Sequence, residues 1–344
     1  MALLNKNFRL LFLISFIFYS CSSLPAHSTL PAIETEKAIT TASPPLPQSE
    51  NVRKEIFLIK DMDSGNYYIT GPSGTDRIQV DIPANTRGLS MSPNGRMIAY
   101  ISSENSILYL LDIEKKITQA LVDSIVFQPG TGLAWSPDSQ NIVFSCRVQG
   151  TSGLSLCLTG MINKENIQTL VKSKTLSATG LLDGAISPSW SGDGQKIVFL
   201  SSTMPPSLSG VKTVAEKDIW LFDFSTNNIK LILQNDPEGI SSIFQPVYLS
   251  ENNSILFSGQ QQNFNTIFDY SIDSHQTQNI IPADGGFDLI NFVLSPDGKS
   301  FLVHIPTMKN SAQNFVPTLY SIDGQLPRQL NSLADLQIIS WVSQ

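Results

Sequence analysis

From residue 53 onward, apolar and polar positions follow one repeated pattern: a glycine or polar start, an apolar strand, a tight polar turn and a second apolar strand. The copies are GLSMSPNGRMIAYIS from Gly88, GLAWSPDSQNIVFSC from Gly132, SPSWSGDGQKIVFLS from Ser187, QPVYLSENNSILFSG from Gln245 and NFVLSPDGKSFLVHI from Asn291. Their turn serines, Ser92, Ser136, Ser191, Ser250 and Ser295, are spaced by 44, 55, 59 and 45 residues. A sixth copy opens at the end of the chain as IISWVSQ, where Trp341 stands where Trp135 and Trp190 stand in theirs. Each full copy runs on into a second hairpin, such as ILYLLDIEKKITQALV from Ile107 and DIWLFDFSTNNIKLIL from Asp218. Every unit thus supplies four short strands, A to D. Alternation with a period of two, as at Ile98 and Tyr100 in MIAYIS, supports the strand reading.

Units of about 45 residues with four strands predict the blades of a β-propeller. The chain ends complete this reading. The last copy stops after strand A, whereas EIFLIKD and YYITGPSGTDRIQV at the start of the folded body read as strands B, C and D with no A. Joining them closes a ring and removes its open edges. The expected fold is all-β: a six-bladed β-propeller of four-stranded antiparallel blades, closed by a C-terminal strand A that joins N-terminal strands B to D. Helical periodicity is nearly absent, so no separate catalytic domain is expected.

The first fifty residues have a different pattern. Lys6 and Arg9 precede the apolar run Leu10–Tyr19, which ends at small residues and Cys21. This is signal-peptide architecture, too short to span a bilayer. Phe18–Cys21 resembles the bacterial lipobox, which implies export and lipidation at Cys21; cleavage after Ser20 or Ser22, giving a soluble secreted protein, is the alternative. Residues 21–52, rich in Pro, Ser and Thr, read as a disordered tether about 30 Å in typical end-to-end distance. The expected organisation is therefore a signal peptide at 1–20, a tether at 21–52 and a propeller at 53–344. It places the body at a membrane facing the periplasm or the cell exterior.

The turn Ser295-Pro-Asp-Gly298, with its variants SPNG, SPDS and SGDG, has a local reason. Proline presets φ, the Asp or Asn side chain caps the turn, and glycine accepts the left-handed conformation that follows. Between an apolar strand A and an IVF-like strand B, and repeated, the motif resembles the WD-like repeats of the TolB propeller family. The resemblance covers residues 55–344, with Asp112, Asp223 and Asp323 where that family carries its strand C aspartate. It departs at Ser250–Asn253 and omits the α/β domain that precedes the propeller in that family. It implies a binding module at the cell envelope, monomeric, whose partner is a protein or peptide such as another lipoprotein.

Composition narrows the function classes. Charged residues are only 15% of the chain, and the net charge of −7 comes with no Lys/Arg cluster, so nucleic acid is not an expected partner. No GxSxG elbow is present, and the one SxxK match, Ser209–Lys212, lies in a predicted loop. The three histidines, His27, His275 and His304, have no metal-motif spacing, and Asp61–Gly65 lacks the oxygen ligands of a calcium loop. No metal, cofactor or catalytic residue is expected. Cys146 and Cys157 lie on strands B and C of one predicted hairpin, where a disulfide can form in an oxidising compartment; buried free thiols are the alternative.

Strand order places the D-to-A and B-to-C connections on one face of the ring and the A-to-B and C-to-D turns on the other. The longest predicted loops, Lys172–Ser187, Ser202–Lys217 and Pro306–Pro317, share the first face. Met204, Leu208, Val211, Lys212, Asn314 and Phe315 on it combine apolar anchors with a polar rim and form the expected partner site. The alternative is a propeller-type lyase or glycosidase, or a glycan-binding protein, using channel groups such as Asp183 and Asp288.

Overall fold

The computed structural model describes residues 54–344, apart from 124–131, 150, 152, 162–165, 174–175, 178–179, 205–216, 237–238, 263, 282–290, 310–311 and 324–325. The expected signal peptide, Cys21 and the whole of the expected tether lie outside the described residues. The body, Asn51–Gln344, is a compact unit of its own. Among the described residues no helix is long and apolar enough to cross a membrane.

The chain enters through β1 (Glu55–Asp61), β2 (Tyr67–Thr70) and β3 (Ile78–Val80). Four-stranded blades follow, the first from β4 (Thr86–Met91), β5 (Met97–Ser102), β6 (Leu108–Asp112) and β7 (Ile117–Val122), the second from β8 (Leu133–Trp135), β9 (Asn141–Cys146), β10 (Ser155–Gly160) and β11 (Gln168–Val171). The third blade adds a short strand at its inner edge, β12 (Leu176–Ser177), to β13 (Gly180–Trp190), β14 (Lys196–Met204), β15 (Asp218–Asp223) and β16 (Asn228–Leu233). The fourth is β17 (Ile240–Leu249), β18 (Ser254–Gln261), β19 (Phe264–Ser271) and β20 (Thr277–Asn279). The fifth is β21 (Phe292–Leu294), β22 (Ser300–Lys309), β23 (Ala312–Ser321) and β24 (Arg328–Gln329). The last strand, β25 (Leu336–Ser343), pairs antiparallel with β1 and completes a sixth sheet in the order β25-β1-β2-β3. The architecture is the six-bladed propeller that the repeats predict, with the expected closure.

The central strands do not alternate cleanly between buried and exposed positions, because each blade is covered on both sides. Ile98 and Tyr100 of β5 pack toward β1 and β2, while Ala99 and Ile101 pack toward the second blade against Ile142 and Phe144. Among the described residues six apolar clusters result, one at each blade-to-blade interface. A blade alone would leave two apolar faces wet, so it is stable only between neighbours.

The A-to-B turns show why the motif reads Ser-x-Asp-Gly. In three blades the buried serine hydroxyl donates to the carboxylate two residues on and accepts the N–H five residues on: Ser136 with Asp138 (2.5 Å) and Asn141 (2.9 Å), Ser191 with Asp193 (2.5 Å) and Lys196 (2.8 Å), Ser295 with Asp297 (2.6 Å) and Ser300 (2.9 Å). The fourth turn position is left-handed in each, at φ 61° for Ser139, 70° for Gly194 and 71° for Gly298. The serine hydroxyls hold the Asp138 and Asp193 carboxyls below the ordinary carboxylate value.

Cys146 and Cys157 are buried on the interface of the first two blades and joined by a disulfide, with Cα atoms 5.8 Å apart. They are diagonal neighbours on the paired strands, not directly opposed: Cys146 faces Ser155, and Cys157 faces Phe144. The register sets this offset, and the bridge closes a short loop. Cysteine-to-serine replacement of both should lower stability by about 3 kcal/mol on loop-entropy grounds. Denaturant melts with and without reductant check this; a wild type whose midpoint ignores reductant would show that no bridge contributes.

A second device secures the closing strand. His304 of β22, largely buried, accepts the Ile338 N–H at Nε2 (3.0 Å), and the Leu336 carbonyl lies 3.1 Å from the same nitrogen. Burial pushes its pKa below the ordinary 6.5, the Leu336 carbonyl pulling weakly the other way. A depressed folded-state pKa means that the unfolded chain binds the proton more tightly. The stability His304 contributes is therefore fully present above pH 6.5 and lost as pH falls below it. Thermal midpoints of wild type and His304→Gln at pH 7.5 and pH 5 should show the larger acid drop in wild type.

Candidate functional site

The six A strands line the central channel, which holds a cavity of about 970 Å³ opening among the A-to-B turns. Trp135, Trp190 and Trp341 stand in its wall at matching positions. The indole N–H of Trp135 donates to the Ser90 carbonyl and that of Trp190 to the Ala134 carbonyl, both at 3.2 Å, so each ring reaches back to the preceding blade. Trp190 stacks on Phe224 with centroids 5.4 Å apart, and Trp341 meets Phe57 edge-on at 5.2 Å. Packing between blades is thus their structural role, and their remaining edges furnish the channel wall.

The opposite face carries the connections expected to be long loops, and the structure corrects two of them. Pro306–Pro317 is not a loop: β22 and β23 continue as one hairpin, with Pro306 opposite Phe315, Thr307 opposite Asn314 and Lys309 opposite Ala312. In Lys172–Ser187, β13 begins at Gly180 and pairs with β14, Leu181 opposite Met204 and Asp183 opposite Ser202. Neither segment is rich in strand-forming residues, so antiparallel pairing with the neighbouring strand, and not propensity, extends them beyond the repeat. Leu208, Val211 and Lys212 lie outside the described residues, as do Ser209 of the SxxK match and Asp288. The structure describes Met204, Asn314 and Phe315 by backbone alone. It sets Met204 on the third blade and the other two on the fifth, all toward the B-to-C end, with the fourth blade between them.

That fourth blade carries features the sequence reading missed. Phe244 on β17 and Phe264 at the start of β19 are each 44% exposed, unusual for aromatic residues in a body this well packed. Phe264 pairs with Gln261 at the B-to-C end, and Phe244 sits on the innermost strand opposite Ser258. Two irregularities in the β17–β18 register flank Phe244, beside left-handed non-glycine residues, Ser242 at φ 51° and Gln245 at φ 46°. Each such conformation costs about 1–2 kcal/mol. Gln245 offsets its share by clamping the next blade, donating to the Phe292 carbonyl at 2.6 Å and accepting the Phe292 N–H at 3.1 Å. The same pair of irregularities recurs in β13, where left-handed Gly184 (φ 81°) and Ser187 (φ 50°) flank Ile186, which packs against the core, so the exposed aromatic and not the bulge is particular to the fourth blade. The left-handed residues Gly88 (φ 57°), Ser187 (φ 50°) and Gln245 are the glycine or polar starts of their repeats, so the sequence marks the bulge but not the exposure of Phe244 beside it.

The remaining candidates settle into structural roles. The Asp61 carboxylate accepts the Asp63 and Ser64 N–H groups (3.1 and 2.8 Å) in a hairpin turn completed by Gly65 at φ 72°. Asp112 and Asp223 cap their C-to-D turns in the same way, accepting the N–H groups of Lys115 (2.9 Å) and Ser225 (2.8 Å). His275 pairs its Nδ1 with the Tyr270 hydroxyl at 2.8 Å. Among the described residues no three His, Cys, Asp or Glu side chains gather closely enough to hold a metal ion.

No family model matches the chain, and no curated protein is similar to it in sequence. The likeness lies in solved structures. TolB from Acinetobacter baumannii is 14% identical over 84% of this chain, with a TM-score of 0.56; the chain spans 66% of that protein's length. A protein from Agrobacterium tumefaciens assigned as TolB is also 14% identical, over 86% of this chain and 99% of its own, at a TM-score of 0.53. An oligogalacturonate lyase in complex with manganese follows at 10% identity, 80% and 78% coverage and a TM-score of 0.50. Identities this low show architecture and leave activity open. With closure through both termini, A strands around the channel and TolB structures superposing over most of its length, the chain has the fold of a TolB-like six-bladed β-propeller.

Proposed function

We propose that the chain is a non-catalytic binding module of the cell envelope that grips a protein or peptide on the face bearing the D-to-A and B-to-C connections. The observation that carries this reading is Phe244, an aromatic 44% exposed at a bulge whose counterpart in the third blade holds Ile186 against the core. Phe264 on the same blade adds a second anchor, and buried aromatic anchors supply most of the energy in protein interfaces. The paired strand extensions of the third and fifth blades flank these two residues, in keeping with the site expected at Met204, Leu208, Val211, Lys212, Asn314 and Phe315. The partner is an envelope protein, and the chain reaches the membrane through a lipid on Cys21.

Pull-down from envelope extract tests this with three proteins: wild type, Phe244→Ala/Phe264→Ala, and a chain with residues 205–216 replaced by a short Gly/Ser turn. A partner retained by wild type and lost from the double variant, with unchanged thermal midpoint, supports the reading. A partner lost only from the loop variant moves the site to the loop. Equal capture by all three would remove this face from consideration.

A further inference from the structure

Inside the central cavity, on the opposite face from the phenylalanines, stands a carboxylate with few partners. Asp269 of β19 is 8% exposed and lines the cavity between the fourth and fifth blades. Among the described residues its buried Oδ1 has no hydrogen-bond partner, and its Oδ2 has a weak contact from the Gln278 amide nitrogen at 3.4 Å. A carboxylate so placed is costly to bury, and fold stability alone favours an amide or an apolar residue at this position. The wall around it is acidic. Glu251, Asp297 and Asp323 line the same cavity, and Lys299 is the one basic side chain among its described lining residues. The Asp297 carboxyl stays below its ordinary value: burial pushes it up, but the Ser295 hydroxyl and the Lys299 N–H outweigh that. These carboxylates are spread around the wall rather than gathered as a metal cluster. An acidic chamber walled by Tyr248, Trp190 and Trp341 favours an organic cation, whose charge meets the carboxylates while its stem lies on aromatic faces.

We infer that the cavity binds a primary ammonium group, which enters from the A-to-B turn face and supplies the hydrogen bonds that the Asp269 carboxylate lacks. The group is that of a small free amine or of a lysine side chain presented by a peptide; the chemistry at Asp269 is the same for both. This site is independent of the Phe244 face, and either can fail without the other.

Calorimetric titration of the full chain with 1,5-diaminopentane, with a lysine peptide blocked at both ends, and with the same peptide acetylated on its lysine provides the test. Quenching of the wall tryptophans gives a second readout. Saturable binding of one or both ammonium probes, with none of the acetylated peptide, is expected, and the tighter of the two identifies the source. Asp269→Asn should weaken binding at least tenfold while its melting temperature stays level or rises, because the substitution removes a poorly partnered buried charge. Glu251→Gln, on the cavity rim, should weaken it by a smaller factor with the melting temperature unchanged. No saturable binding at millimolar probe, equal affinity in Asp269→Asn, or a melting temperature several degrees lower in that variant would each overturn the assignment. The last result would mean that Asp269 holds the fold rather than a ligand.

Discussion

Deleting Leu336–Gln344 should abolish cooperative unfolding, leaving a chain that aggregates or melts without a defined midpoint. The segment is β25, the only A strand that the closing blade has. It pairs with β1 from Glu55 opposite Ser343 to Asp61 opposite Leu336, and Lys54 and Gln344 exchange backbone hydrogen bonds of 3.1 and 3.0 Å at its end. Without it, β1 becomes an open edge of unpaired backbone groups, which recruits other chains. Leu336, Ile338 and Val342 are each at most 7% exposed, and burying residues of this size contributes about 1.5–3 kcal/mol apiece. Both interfaces of the closing blade draw on this strand, as do the His304 clamp and the bond from the Met91 N–H to the Ser340 hydroxyl (3.1 Å). The combined loss approaches the whole stability of an ordinary domain. Circular dichroism and size exclusion on the truncated chain check this. A cooperative melt within a few degrees of wild type would show that five blades and an open edge suffice.

The second large effect is expected at Phe199→Ala, which should cost about 3–5 kcal/mol. Phe199 lies at the centre of β14, fully buried, with Trp220 opposite it on β15. It packs in the interface between the second and third blades with Val143, Leu156 and Phe222. The site is hemmed by two hydrogen-bonded sheets that cannot collapse toward each other without breaking register, so the cavity stays open. Urea denaturation measures the change directly. A cost below about 1 kcal/mol would mean that the blades close on the gap and that the interfaces are plastic. The disulfide, between the first two blades, should not alter this value, because distant sites without shared partners add independently.

How much of the site was legible differs from how much of the fold was. The repeated Ser-x-Asp-Gly turn could be read because one short stretch contains the serine, the carboxylate and the left-handed residue that its geometry needs. Ser250–Asn253 departs from that pattern, and there the structure does something different: the Ser250 hydroxyl accepts the Gly192 N–H of the neighbouring blade at 2.7 Å. Tyr248 donates instead to Asn253 at 2.5 Å. A turn serving its neighbour cannot be inferred from its own residues.

The chain's pattern by itself determined the six blades, the turn chemistry and the closure of the ring through both termini, but not the extra strand β12. These depend on interactions close in sequence, or on hydrophobic repeats that sum over the whole chain. Only the tertiary structure decided that Pro306–Pro317 is a hairpin, that Cys146 and Cys157 meet diagonally, and that Phe244 stays exposed while Asp269 lines a cavity. Each of these is set by register and bulges between strands. A shift of one residue reverses the face a side chain presents, and no local pattern of residue types records it.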